Sequence, residues 1–166
     1  MKNTNKTEIL KEKLKQALNS TARAISDELI NKSDQNDINE NKKLDFFNLE
    51  NLNSKSDFIK ARADSDSLAL KKKFSNDKIF RKNSPSNLSC KSLYSIAEKI
   101  RYELLGCKML KGIETNLLRN YNQNIQSKRK GQIKTKEDIP ISEAFELYML
   151  KKFYGIKLNT ITNEIL

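Results

Sequence analysis

Apolar residues recur along much of this chain at steps of three to five, the spacing that lays a stripe along one side of an α-helix. Leu10, Leu14, Ala17, Ala22, Ile25 and Leu29 form the first such stripe and predict a helix over residues 6–30. Asn5 followed by Glu8 resembles a capping box, with Asn in place of Ser or Thr, and would start that helix. The pattern then lapses. Residues 31–56 are rich in Asn, Asp, Lys and Ser, with Leu44, Phe46, Phe47 and Leu49 as their one apolar cluster. They are expected to form a long, partly disordered connection whose cluster docks on the domain or makes a short edge strand.

A second helix is expected over residues 57–74, with Ile59, Ala63, Leu70 and Phe74 on one side. Arg62 and Asp66, at i and i+4, are spaced to pair on its surface. A polar loop containing Pro85 should follow over residues 75–92. The strongest periodicity comes next: Leu93, Ile96, Ile100, Leu104, Cys107, Leu110, Ile113 and Leu117 advance by three or four throughout. Gly106 and Gly112 interrupt it, each costing about 1 kcal/mol relative to Ala inside a helix. They mark a kink, a break into two helices or a close helix–helix contact. After a basic loop over residues 126–136, Pro140 begins a last helix with Ile141, Phe145, Met149 and Phe153 on one face. That helix should stop at Gly155. The fold class read from this pattern is mainly α, with four to five amphipathic helices in one domain. Residues 1–30 supply the N-terminal helix, 57–155 the helical domain and 156–166 a tail.

Composition agrees with that class. Four Gly and two Pro in 166 residues are too few for a many-turned β-sandwich or barrel. No stretch approaches the ~18 apolar residues that span a bilayer, and no secretory signal is readable, which points to the cytoplasm. Cys90 and Cys107 read as small apolar residues, buried or half-buried, rather than as a disulfide. The formal charge of +11 favours an anionic partner without saying which. Lys71 to Lys73 and Lys128 to Lys130 could meet phosphates, so a basic helical nucleic-acid binder is the alternative reading. Neither run is interleaved with aromatics or placed on a recognisable recognition helix, so a solvated face or an acidic protein partner is preferred over nucleic acid.

The chain has no His at all. That removes His-based metal sites, Ser-His-Asp and Cys-His nucleophile systems and His acid–base chemistry. No G-x-x-x-x-G-K-[ST] and no G-x-G-x-x-G is present, and the two cysteines lack paired C-x-x-C spacing. Glu98 and Glu103 lie five apart, about 140° around a helix, and do not converge as an acid/base pair; they read as solvated or ion-paired surface residues. With no active-site motif legible, no cofactor is expected on this chain, and it should work by binding partners.

Three blocks, in order, carry a resemblance. The first is Arg62-x-x-Ser65-Asp66-x-x-Ala69-Leu70. The second is Glu98-x-x-Arg101-x-Glu103-x-x-Gly106, continued by Gly112-Ile113-x-x-Asn116-Leu117. The third is Pro140-Ile141-x-x-Ala144 through to Gly155. Together they resemble the N-terminal domain of the CobT subunit family of the aerobic cobaltochelatase, which inserts Co²⁺ into a corrin ring during cobalamin synthesis. There are departures. Ser75 and Asn76 stand where the family usually shows His-Asp, Phe80 where a later His falls, and Leu110 where a Met precedes the second glycine by two. The Asn-rich stretch also replaces a β-prone segment.

The resemblance implies an accessory, non-catalytic subunit that binds the AAA+ ATPase subunit and, indirectly, the large corrin-binding subunit, in a complex using ATP, Mg²⁺ and Co²⁺. Partner contacts would come from exposed parts of the helices at 93–126 and 141–155. Arg62, Asp66, Glu98, Arg101, Glu103 and Asn116 are the polar candidates, unless they hold the helices to one another. The family continues into an acidic linker and a metal-site domain. This sequence is therefore expected to be truncated: a fragment, half of a split gene, or a non-functional remnant.

Overall fold

The computed structural model of the chain describes residues 2–26, 52, 54–127 and 139–157. Among the described residues there are six helices and no strand. The chain divides into two compact units, Met1–Lys73 and Phe74–Leu166. The expected docking of the Leu44 to Leu49 cluster, nearly all of the connection at 31–56, the basic loop beyond Ser127 and the tail from residue 158 lie outside the described residues.

In the first unit, helix α1 spans Lys2–Ser26 and helix α2 spans Lys55–Phe74. Because α1 begins at Lys2, Asn5 lies inside the helix and cannot be its cap. The buried line of α1 is Leu18, Ala22 and Ile25, with Leu14 half-buried, whereas Leu10 and Ala17 are exposed. At about 100° per residue, Ala17 points about 100° away from Leu18, and the packed side follows the larger residue. Leu52 and Ala61 pack against Leu18, and the Ser65 hydroxyl donates to the Leu18 carbonyl at 3.4 Å.

The start of α2 is set by a capping box that opens two residues earlier than its apolar pattern. The Asp57 N–H donates to Ser54 Oγ at 3.2 Å, and the Ser54 N–H donates back to Asp57 Oδ2 at 2.9 Å. The reciprocal pair satisfies two donors at the helix start. Asp66 is not a surface residue of that helix. It is only 3 % exposed while Arg62 is exposed, since Asp66 shares the inward side with Ala63 and Leu70.

Among its described residues the second unit contains four helices. The stretch read as a polar loop holds α3, Asp77–Asn83, and the first turns of α4, Leu88–Met109. Both starts are fixed by asparagine: Asn76 Oδ1 accepts from the Lys78 and Ile79 N–H groups, and Asn87 Oδ1 from those of Ser89 and Cys90. The long periodic segment breaks at Leu110, whose backbone is extended (φ −139°, ψ 110°). Helix α5, Lys111–Ser127, follows. Of the three readings of the glycine interruptions, the break into two helices is the one adopted.

Helix α6 spans Ile141–Tyr154. The Pro140 carbonyl accepts from the Glu143 and Ala144 N–H groups at 2.9 and 3.0 Å, and Gly155 ends the helix in the left-handed region at φ 63°. Helix α4 packs against both α5 and α6. Ile100, Ile113, Leu117, Leu147 and Leu150 are buried in this unit, with Ile139 and Ile156 buried just before and after α6. The face expected to matter on α6 is not the buried one: Leu147 and Leu150 turn inward, while Ile141 and Phe153 are exposed. Apolar residues occur all around this helix, so spacing alone does not select its inner side. No helix among the described residues is long and apolar enough to cross a membrane.

Candidate functional site

The polar residues of the second unit gather into three sets, all involving α4. The first lies where α4 meets the chain just after α2. Glu98 accepts from the Ser75 hydroxyl at 2.7 Å and takes a bidentate contact from Arg101, at 2.7 Å from Nε and 2.8 Å from Nη2. The same Nη2 donates to the Phe74 carbonyl at 2.7 Å. Glu98 holds the guanidinium firmly in its charged form, its hydrogen bond raising the Arg101 pKa against the smaller opposing effect of burial. This fork-shaped contact fixes the planar group and leaves part of it in solvent.

The second set is interior. Glu103 is 1 % exposed and accepts from the Tyr121 hydroxyl of α5 at 2.5 Å. Tyr154, at the end of α6, lies with its ring centroid 5.9 Å from that of Tyr121, and the Cys107 thiol points to its hydroxyl at 4.0 Å. Burial pushes both phenols well above the usual tyrosine range, and the Glu103 carboxylate, which disfavours a second negative charge beside it, adds to the effect. Each phenol is therefore a hydrogen-bonding group and not an acid at ordinary pH. A buried carboxylate needs such donors, because an unpaired one would be costly to remove from water.

The third set borders a cleft between α4, α5 and α6, lined in part by Lys99, Tyr121, Asn124, Glu143 and Glu146. The Lys99 ammonium sits 5.2 Å from the Tyr121 ring centroid and 3.9 Å from Glu146. Both carboxylates on α6 thus face this cleft, which already holds its own cation.

These positions sort the sequence candidates. Arg62 is exposed and Asp66 buried, both in the first unit. Glu98 and Arg101 are brought together. Glu103 is not the surface residue its spacing suggested; at its depth it cannot meet a partner, and it joins α4 to α5 instead. Asn116 is half-buried on α5. Glu98 and Glu103 have separate partners, in keeping with their divergence around the helix. Cys107 is half-buried as read, but Cys90 is exposed, and neither is in a disulfide. Lys71 to Lys73 occupy the last turn of α2, where cations offset the carbonyl end of the helix dipole. Lys128 to Lys130 lie outside the described residues.

Tyr121, Tyr154, Lys99 and Glu146 were not singled out from sequence. Tyr121 had a signal: it continues the Ile113, Leu117 line by four. Two of the departures also find their place: Ser75 bonds Glu98, and Phe80 stacks on Tyr94 with centroids 5.0 Å apart and planes 22° from parallel. Among the described residues, no three His, Cys, Asp or Glu side chains gather as a metal site.

Eight of the seventeen positions that carry the three blocks are buried, and six are exposed. The buried ones are Ser65, Asp66, Ala69, Leu70, Glu103, Gly106, Ile113 and Leu117, so this part of the shared pattern describes how the helices pack. No curated protein and no solved structure matches the chain. A family model described as cobalamin biosynthesis protein CobT matches residues 9–166, and the chain belongs to that family.

Proposed function

We propose that the chain is an accessory, non-catalytic subunit of an ATP-dependent cobaltochelatase, acting in the cytoplasm by binding the AAA+ ATPase subunit and, through it, the large corrin-binding subunit. The observation that carries this reading is the family match over residues 9–166. Inserting Co²⁺ into a corrin requires the ring to be deformed and the ion to lose water. Strain driven by ATP hydrolysis and delivered through a paired subunit suits that task. In this reading ATP, Mg²⁺ and Co²⁺ are handled by the other subunits, and this chain contributes surfaces. Of the polar candidates, Arg62 and Arg101 are exposed, which supports assigning them to a partner contact.

The test is co-purification of the chain with the AAA+ subunit from the same organism. Association that depends on nucleotide is the expected result; no association with or without ATP would count decisively against the proposal.

A further inference from the structure

Helix α3 is held by its first turn and by one ring. Asn76 caps its start, and the Phe80 ring stacks on Tyr94 of α4 with centroids 5.0 Å apart. None of its residues is buried, so it adds little to the core. What it displays is charge. At about 100° per residue, Lys78 and Lys82 lie about 160° from Phe80 on either side and point outward about 40° apart. Ile79 and Arg81 flank them, each about 100° from Phe80. Lys78, Arg81 and Lys82 are exposed, and among the described residues none of them makes an ion pair or a side-chain hydrogen bond. Asp77, the one acid of α3, lies about 60° from Phe80, nearer the packed side, and does not pair with Arg81.

Cations in the last turn of a helix offset its dipole, which accounts for Arg81 and Lys82. Lys78 is different. It stands in the first turn, where a positive charge opposes the dipole, and no carboxylate pairs with it. A cation in that position is accounted for by a contact outside the helix. The face around it selects the partner. Three unpaired cations call for anions, while Ile79, 59 % exposed beside them, calls for an apolar neighbour that a phosphate backbone lacks. Phe80 and Tyr94 cover each other and offer no open ring for a nucleobase to stack on. Lys78 and Lys82, at i and i+4, match carboxylates three or four apart on a facing helix. A second copy of this face would set cation against cation and is disfavoured.

We infer that the outward face of α3 docks an acidic segment of a protein partner, one with Asp or Glu residues set three or four apart around an apolar side chain. This goes beyond the function proposed above and does not depend on it. Steering by such a face acts mainly on the rate of association, so binding should weaken as salt rises.

The experiment measures binding of the full chain to poly-L-glutamate, to a glutamate–tyrosine copolymer, to a random-sequence DNA duplex and to phosphatidylserine vesicles. Lys78→Gln/Arg81→Gln/Lys82→Gln should weaken binding to both polypeptides about tenfold. Lys108→Gln/Lys111→Gln/Arg119→Gln removes the same charge from exposed positions on α4 and α5 and should weaken it less than about twofold. Ile79→Ser should weaken binding to the copolymer alone. Lys78→Gln by itself should weaken binding without lowering the urea midpoint, a separation that a structural role for Lys78 would not give. Equal losses for the two triple variants would reveal a net-charge effect and overturn the inference, as would no binding to either polypeptide. Tighter binding to the duplex or the vesicles, abolished by the α3 triple variant, would overturn it in favour of a phosphate-bearing partner.

Discussion

Tyr121 donates its hydroxyl to Glu103 across the contact between α4 and α5, 18 residues apart in sequence and both nearly out of water. This bond joins two helices that a single extended residue, Leu110, has separated. Removing the donor leaves a buried carboxylate with one fewer partner, so Tyr121→Phe should cost about 1.5–3 kcal/mol, the range for hydrogen bonds to charged groups. Glu103→Gln keeps an acceptor and should cost less. Urea unfolding of the two single variants and the double variant gives the coupling; additive losses would show that the bond stabilises nothing.

Alkaline pH should act through the same cluster. Tyr121 and Tyr154 have folded-state values raised above that of a free phenol, about 10. A raised folded value means that their contribution is complete below pH ~10 and is lost as pH climbs above it, because the unfolded chain releases those protons first. Absorbance at 295 nm should therefore report two tyrosines ionising together with the loss of helical circular dichroism. Their ionisation while the helices stay intact would contradict the burial described.

The Glu98–Arg101 contact has better geometry than its energy would suggest. Close to half of the Arg101 side chain is in solvent, so screening discounts the pair. Arg101→Gln should cost under about 1 kcal/mol in urea unfolding, less than Tyr121→Phe, even though the latter deletes only a single oxygen. A larger loss for Arg101 would reverse the ranking of the two sets.

Two glycines should respond to alanine with opposite signs. Gly155 has φ 63°, and a Cβ added there would meet nothing within 4 Å, so the penalty is backbone strain alone, about 1 kcal/mol. Gly112 lies in the first turn of α5 with equally open surroundings and no unusual φ, so Gly112→Ala should stabilise by about 0.5 kcal/mol. Thermal or urea midpoints of the two variants decide it.

Ser54→Ala tests the start of α2. It deletes one half of the reciprocal Ser54–Asp57 contact and should lower stability by about 1 kcal/mol. Ser54→Asp should recover most of the loss, since a carboxylate can also accept from the N–H groups of the first turn.

Where helices form, and where several of them end, is legible in the local order of residues. Periodicity needs only near neighbours, and Pro140, Gly155 and the capping asparagines act within three or four residues. Even so, Asn76 and Asn87 went unread because α3 is only seven residues long and α4 opens with Leu88 followed by a mostly polar turn, too little for a periodic stripe. Tertiary structure decided which side each helix turns inward. Along α6 apolar residues surround the axis, so the choice of Leu147 and Leu150 over Ile141 and Phe153 was made by packing against α4. The same holds for the charged residues. Glu103 and Asp66 look like surface carboxylates in a helical repeat. For Glu103, burial becomes possible only when a partner distant in sequence, Tyr121, is brought alongside. A local pattern records an angle around a helix; it contains no record of what will stand opposite.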